Sequence, residues 1–392
     1  MPDVLIFLYV LTAICSTFYV VLLLYMRWHW QQLPTFEIPQ KSAKSPFLLS
    51  LIVPARNEEE NIEKCLSSLC RQNYPKNAFE IIVVDDHSDD QTFALIEKVK
   101  TTYPEVQLQC YRLADFGGNG KKKALSLGIA QSKGQWILTT DADCESRPQR
   151  LAAFMAFLKQ NPTMRLVSGP VFFKPSSKTN FRAQFFAKMQ ILELHALIAM
   201  GGAFIQAGQA RLCNGANLAF ERAAYEKVGG YEPEIQIASG DDEFLMARVA
   251  KAFPGKIGFL KTPHAAVETT PITALTSFLN QRKRWAAKTK FYQSKTTFLM
   301  MAMLWLYHLA LLVSLPIAFF HSGFWLVFGG LMLGKMLGEC LFLQAGSAFF
   351  QYGKKALSYY FPAAFAYIPY VLWVGLGAGF GNYQWKSRKF KS

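Results

Sequence analysis

Several short polar runs in this chain hold residues able to do chemistry together. Val83-Val-Asp-Asp-His-Ser-Asp-Asp90 closes an apolar stretch with Asp85 and Asp86, carboxylates that accept hydrogen bonds and suit a ring N–H such as a pyrimidine offers. Thr139-Thr-Asp-Ala-Asp-Cys144 sets Asp141 and Asp143 one residue apart in a turn, where both can face one divalent cation. Magnesium takes one or two carboxylates and completes its shell with phosphate oxygens, which gives that spacing a reason. A solvated acidic turn has the same spacing, so the pair does not decide the matter by itself. Gly120-Lys-Lys-Lys123 opens a helical stretch and offers N–H groups and ammonium charge, Lys121 included, to a diphosphate. Lysine runs are also commonly solvated faces. Ser239-Gly-Asp-Asp-Glu243 opens another helix, where adjacent acids also suit the helix dipole.

Two further runs flank these. Val53-Pro-Ala-Arg-Asn-Glu58 reads as a polar turn or cap after an apolar strand. Gln281-Arg-Lys-Arg-Trp285 precedes a long apolar run and has the basic and aromatic character of an interfacial anchor.

The elements that must position these residues alternate. Strands are expected over 47–53, 80–84, 106–111 and 136–140, and helices over 58–72, 91–100 and 122–132. Alternation of this kind predicts a mostly parallel α/β sheet covered on both faces, with ligands outside the carboxyl ends of the strands. The acidic pairs fall at those ends. Residues 33–46, rich in proline, lysine and serine, read as a linker, and 181–204 as an interfacial or core helix.

Hydrophobic residues make up 51% of the 392, yet Lys and Arg number 42, so apolar and basic character must separate along the chain. Val4 to Met26 carries no charge and is long enough to cross a hydrocarbon core of ~30 Å. Its flanks fit an uncleaved anchor rather than a signal peptide. Further apolar runs cover 298–320, 323–343 and 356–381. In the second of these Lys335 and Glu339 are four apart on one helical face, where they read as a structural pair or, alternatively, as part of an acceptor channel. The last run, broken by Pro362, Pro369 and several glycines, is expected to be re-entrant or interfacial, which keeps the basic tail on the cytoplasmic side. The expected organisation is an anchor over 1–30, a catalytic domain over 47–295 and a membrane region over 296–392. A net charge of +15 comes without any nucleic-acid-binding motif, so anionic lipid and an anionic donor account for it more simply than nucleic acid. Seven cysteines lack metal-type spacing and read as reduced thiols.

The order VPARNEEENI, VVDDHSDD, GKKKAL, TDADC, CNGANLAF, GDDEF and QRKRW resembles family 2 glycosyltransferases. It is most similar to the membrane branch with hyaluronan, chitin and cellulose synthases and ceramide glucosyltransferase. The resemblance spans about Leu48 to Trp285 and implies a GT-A fold, Rossmann-like, with transmembrane helices at both ends. It implies that Asp86, with Asp85, binds a uracil-type base, and that Pro54, Ala55 and Glu58 form the nucleotide wall. Asp141 and Asp143 match the metal-binding pair for Mg²⁺ or Mn²⁺, with Asp143 the direct ligand. Asp242, beside Asp241, matches the general base. Gln281, Arg284 and Trp285 match the motif over the diphosphate and acceptor end, and Cys213 and Asn217 lie where this branch contacts the acceptor.

The expectation is an inverting, metal-dependent transfer from a nucleotide-sugar donor, a UDP-sugar first, to a membrane lipid or lipid-linked acceptor. It is placed in the cytoplasmic (inner) membrane with the catalytic domain in the cytoplasm. The alternatives are a processive polysaccharide synthase and a non-catalytic membrane scaffold, the latter disfavoured because the carboxylates are all present.

Overall fold

The computed structural model describes residues 2–39, 48–174, 181–237, 239–292, 294–350, 353–379, 382–385 and 388–391. Half of the expected linker (40–46) and part of the basic tail lie outside these. Helix α1 (Pro2–Gln32) precedes the alternation β1 (Leu49–Ala55), α2 (Ile62–Cys70), β2 (Phe79–Asp85), α3 (Thr92–Thr102), β3 (Gln107–Arg112), α4 (Lys121–Gln131) and β4 (Trp136–Thr139). Shorter elements follow: β5 (Glu145–Ser146), α5 (Arg150–Gln160), β6 (Leu166–Ser168) and β7 (Val171–Phe173), then the long α6 (Phe181–Gln206). Next come β8 (Leu218–Glu221), α7 (Arg222–Lys227), α8 (Asp241–Ala252), β9 (Ile257–Phe259) and β10 (Val267–Thr269). The remainder is α9 (Leu275–Ala287), α10 (Lys295–Ala318), α11 (Phe324–Ser347), α12 (Gly353–Leu357), α13 (Tyr360–Gly379) and a hairpin of β11 (Asn382–Trp385) and β12 (Arg388–Lys391).

The chain forms two compact units. One comprises Gln32–Ser176 and Leu197–Pro271, the other Met1–Gln31, Ser177–Ala196 and Ile272–Ser392. Helix α9 belongs to the second of these units, which resumes at Ile272.

In the strand-bearing unit a seven-stranded sheet has the order β3-β2-β1-β4-β8-β6-β9, with β8 antiparallel to both its neighbours and every other pair parallel. The near-continuous apolar runs of β1 and β2 are what a sheet buried on both faces requires. Leu51, Val53, Ile81 and Val83 are fully buried against Ile62, Leu66 and Leu69 of α2 and Leu151 and Phe154 of α5. Each such side chain contributes about 1.5–3 kcal/mol of transfer free energy. Register sets Ala55 opposite Asp85 and Ile52 opposite Thr139, so β1, β2 and β4 end on one side, where the polar turns begin. A second small sheet has the order β5-β10-β7.

Among the described residues five helices, α1, α6, α10, α11 and α13, contain segments long and apolar enough to cross a membrane. The last run departs from expectation: α13 is one uninterrupted helix through Pro369 rather than a broken segment. Neighbouring helices and local adjustment re-satisfy the carbonyl that a proline frees, so glycine and proline are poor helix breakers in this setting.

Within the helical unit the Lys335 to Glu339 pair forms as expected, Nζ to Oε1 at 2.5 Å, with Lys335 fully buried. The same carboxylate accepts from the Tyr19 and Tyr360 hydroxyls, and Lys335 also lies 3.4 Å from His308 Nε2. His308 Nδ1 donates to the Leu304 carbonyl, which leaves Nε2 as the acceptor. Four helices thus meet on one saturated polar network. Removing one charge leaves the other buried and uncompensated, which costs more than removing both. Lys335→Met is therefore expected to lower the melting temperature of detergent-purified protein further than Lys335→Met with Glu339→Met. Equal or reversed shifts in a thermal melt would remove the pair from the energetics of the bundle.

Candidate active site

The site is built where β1, β2 and β4 end and where α4 and α8 begin. Both helices start directly after a glycine with positive φ, Gly120 at 95° and Gly240 at 79°, a conformation that turns the chain sharply and that only glycine adopts without strain. Asn57 and His87, the non-glycine residues with positive φ among those described, sit in the turns after β1 and β2. Such outliers cluster at functional sites because the surrounding structure must hold them. Asn57 is held by its N–H to Ser88 Oγ at 3.0 Å and its Oδ1 from the Asp89 N–H at 3.1 Å.

Pro54 and Ala55 end β1, and Ala55 accepts at its carbonyl from the Asp86 N–H at 2.7 Å. Glu58 follows in the same turn, its N–H donating to Thr92 Oγ1 at 2.7 Å and its carboxylate accepting from Asn61 Nδ2 at 3.0 Å. Asp86 binds the Gly120 N–H at 3.0 Å and His87 Nδ1 at 3.0 Å, tying the turn after β2 to the start of α4. Asp85 is only 5% exposed, and its Oδ1 has no partner among the described residues. A buried acceptor of this kind is open to a further donor, such as water or a ligand N–H. Asp89 and Asp90, in contrast, serve the loop: Asp90 accepts from the Thr92 and Glu59 N–H groups at 2.9 and 3.2 Å.

Lys121 is the residue that brings three motifs together. Its Nζ lies 2.7 Å from Asp141 Oδ1 and 3.3 Å from Asp241 Oδ2. Burial pulls the Lys121 ammonium toward neutrality, but Asp141 and Asp241 outweigh it and hold the group firmly protonated. Burial likewise opposes the charge on Asp241, and Lys121 and Lys122 reverse that, leaving it below the ordinary carboxylate range. Lys122 is buried and donates to the carbonyls of Glu234, Ile237 and Ser239 at 2.7, 2.8 and 3.3 Å, which pins the segment leading into α8. Desolvation lowers its pKa to about 8. Lys123 reaches Glu232 at 3.2 Å on the same segment.

Asp242 is turned differently from its neighbour. Its Oδ2 accepts from the Gly215 N–H and its Oδ1 from the Glu243 N–H, both at 2.8 Å. A Cβ at Gly215 would stand 3.2 Å from Asp241 Oδ2, so glycine is what lets this backbone approach the acid pair. Asp143 is exposed in the turn after Asp141 and accepts from Cys144 Sγ at 3.4 Å. No group of three or more His, Cys, Asp or Glu able to hold a metal occurs among the described residues. Two carboxylates fit a cation that completes its shell with ligand phosphate oxygens, not one held by protein alone.

Two expected acceptor contacts are not brought into this arrangement in the same way. Cys213 is half-buried. Asn217 is fully buried, its Nδ2 donating to the Pro170 and Ala265 carbonyls at 2.8 Å and its Oδ1 accepting from Arg150 Nε at 3.0 Å. With its amide consumed in the interior, it is a scaffold residue. Arg150, which no sequence pattern marks, also donates to Thr140 Oγ1, Ser146 Oγ and the Thr139 carbonyl at 2.6 to 2.9 Å, and so holds the turn that presents Asp141. Gln281, Arg284 and Trp285 lie on α9 in the helical unit. There the neighbouring Arg282 binds Glu193 at 2.5 Å, stacks 4.2 Å over Trp285 and donates to Gln281 Oε1.

The family model for glycosyl transferase family 2 matches residues 50–229, which covers the turns after β1, β2 and β4 and the start of α4. These residues form a family 2 glycosyltransferase domain. The domain is similar to the probable glycosyltransferase YdaM of Bacillus subtilis, 28% identical over 61% of this chain and 54% of that protein. It is also similar to the beta-monoglucosyldiacylglycerol synthase of Synechocystis, 28% identical over 60% of this chain and 46% of that one. The chain spans about half the length of these curated relatives. A mannosyltransferase from Pyrobaculum calidifontis, solved with GDP-Man and Mn²⁺, superposes with a TM-score of 0.59 at 17% identity over 96% of this chain and 97% of that one. At that identity the likeness establishes the GT-A fold expected from the sequence.

Arg150→Met removes a buried guanidinium and leaves four acceptors in the family 2 domain without their donor. Charged hydrogen bonds contribute about 1.5–3 kcal/mol each, so a loss of more than ~3 kcal/mol is expected. Denaturant unfolding of the purified variant measures it, and a shift below about 1 kcal/mol would show that the turn holds itself.

Proposed function

We propose that the chain is a metal-dependent, inverting glycosyltransferase that moves a sugar from a nucleoside-diphosphate donor to a membrane lipid or lipid-linked acceptor. One observation carries this reading: a single ammonium, Lys121, joins the turn acid Asp141 to the helix acid Asp241, so donor-side and acceptor-side carboxylates share one site. Asp85 and Asp86 supply acceptors for the base. An acceptor-only group fits the imide N–H of uracil and equally the ring N–H of guanine, so both nucleotides belong in any test. Pro54, Ala55 and Glu58 line the turn beside it.

Asp141 and Asp143 would hold Mg²⁺ or Mn²⁺ together with the donor's phosphate oxygens, and the cation's contribution when bound is charge stabilisation on the leaving diphosphate. Asp143 is the more open of the two to solvent. The acid pair of α8 supplies the base that takes the acceptor hydroxyl proton as oxygen attacks the anomeric carbon from the face opposite the leaving group. The resemblance to the family 2 synthases points to Asp242. The geometry favours Asp241, because both Asp242 oxygens already accept backbone N–H groups and Asp241 meets the Lys121 ammonium that also binds Asp141. Asp242 then anchors the start of α8 against Gly215.

Five apolar helices support action at a membrane, and the Synechocystis relative named a beta-monoglucosyldiacylglycerol synthase supports a lipid acceptor. The cytoplasmic orientation follows from where nucleotide sugars occur and from Arg27 and the Lys283 to Lys290 region at the membrane flanks.

The test is turnover with a panel of UDP- and GDP-sugars and membrane lipid acceptors. Asp241→Asn is expected to lower turnover by ~10²–10⁴-fold with nucleotide affinity nearly unchanged, the range for a positioned general base. Asp242→Asn is expected to lower the melting temperature as well as turnover. If Asp242→Asn abolishes turnover without a thermal shift while Asp241→Asn stays near wild type, the two roles exchange.

A further inference from the structure

Lys121 holds Asp141 and Asp241 at the same time, and Asp141 is an acid that a donor-bound cation requires. An ammonium 2.7 Å from Asp141 Oδ1 and a divalent ion held by the same carboxylate would repel one another at close range in a partly desolvated site. The side chain is 21% exposed on a flexible stem, and Asp141 is 35% exposed, so the contact can be exchanged without disturbing the core. Its neighbours are fixed in the opposite way. Lys122 is pinned by three carbonyls and Lys123 by Glu232, so the start of α4 stays in place while Lys121 moves.

We propose that Lys121 is a positioning residue that keeps the cation position of the donor-free site closed and trades its hold on Asp141 for the donor's diphosphate. This rests on the donor-binding reading given above. In the donor-free chain the ammonium balances two carboxylates that would otherwise repel each other at the strand end. A cation arriving alone competes with that ammonium and gains little. A cation arriving with a diphosphate brings new anionic oxygens for Lys121, so the exchange becomes favourable. Asp241 loses its ammonium partner in the same event, which makes the helix acid available only when donor is present. The chain therefore binds metal and nucleotide together rather than in either order with equal ease.

The test is Mn²⁺ binding read by electron paramagnetic resonance, on the full chain in detergent, with Mn²⁺ alone and with UDP or GDP added. Lys121→Met keeps the length of the side chain and removes its charge. The wild type is expected to bind Mn²⁺ weakly alone and much more tightly with nucleotide. Lys121→Met is expected to bind Mn²⁺ alone at least about tenfold more tightly than wild type, since a contact charge has been removed, and to gain less from added nucleotide. Should thermal melting show that this variant does not fold, Lys121→Gln carries the same expectation. Mn²⁺ affinity in the absence of nucleotide that is unchanged or weaker in the uncharged variant would overturn the exchange. A wild type whose nucleotide binding ignores Mn²⁺ would overturn both the exchange and the metal-dependent reading beneath it, and is recognisable without any variant.

Discussion

The strand-end site depends on keeping several carboxylates close together without letting them drive each other apart. Like charges at short range raise one another's cost of ionisation, and partial burial makes the cost larger. Lys121 answers this for Asp141 and Asp241, and backbone N–H groups answer it for Asp86 and Asp242. The strand-bearing unit is arranged to bring those cations and dipoles to the acids. Parallel register ends β1, β2 and β4 on one side, and glycines at 120 and 240 turn the chain so that two helix starts face the same edge.

Support comes from residues with no direct claim on chemistry. Arg150 ties Thr139, Thr140, Ser146 and Asn217 into one buried set beneath the Asp141 turn. Lys122 spends a buried charge on three carbonyls of the segment that delivers Asp241. Both are costly burials of the kind that persist where position matters more than stability. The helical unit uses the same principle in a saturated network around Glu339.

Much of this was legible in the sequence because long periodic segments carry their own signal. The run ending at Asp85, the helix opening near Lys121 and the strand before Asp141 were all expected within a residue or two of where they occur. What escaped was information that sequence spacing does not contain. Antiparallel β8 and the two- and three-residue strands of the small sheet are too short for alternation to register. Asn217 lies in a motif that reads as polar and accessible, yet Gly169 approaches so closely that a Cβ there would meet Asn217 Nδ2 at 2.5 Å, and the amide is consumed inside. Arg150 resembles any basic residue on a surface helix. The division of labour between Asp241 and Asp242 depends on which oxygen meets Gly215 and which meets Lys121, a matter of side-chain direction at a helix start. Pro369 misled for a physical reason, because proline breaks helices far less reliably among apolar neighbours than in water.

The central claim is that the turn acids bind a nucleoside diphosphate through a shared cation. Calorimetry of UDP and GDP binding, with and without Mn²⁺, on wild type and Asp143→Asn tests it most directly. The account predicts binding of one nucleotide to wild type only when Mn²⁺ is present, and its loss in Asp143→Asn while the melting temperature is unchanged. Nucleotide binding that is equally tight in Asp143→Asn, or that needs no metal in wild type, would contradict it.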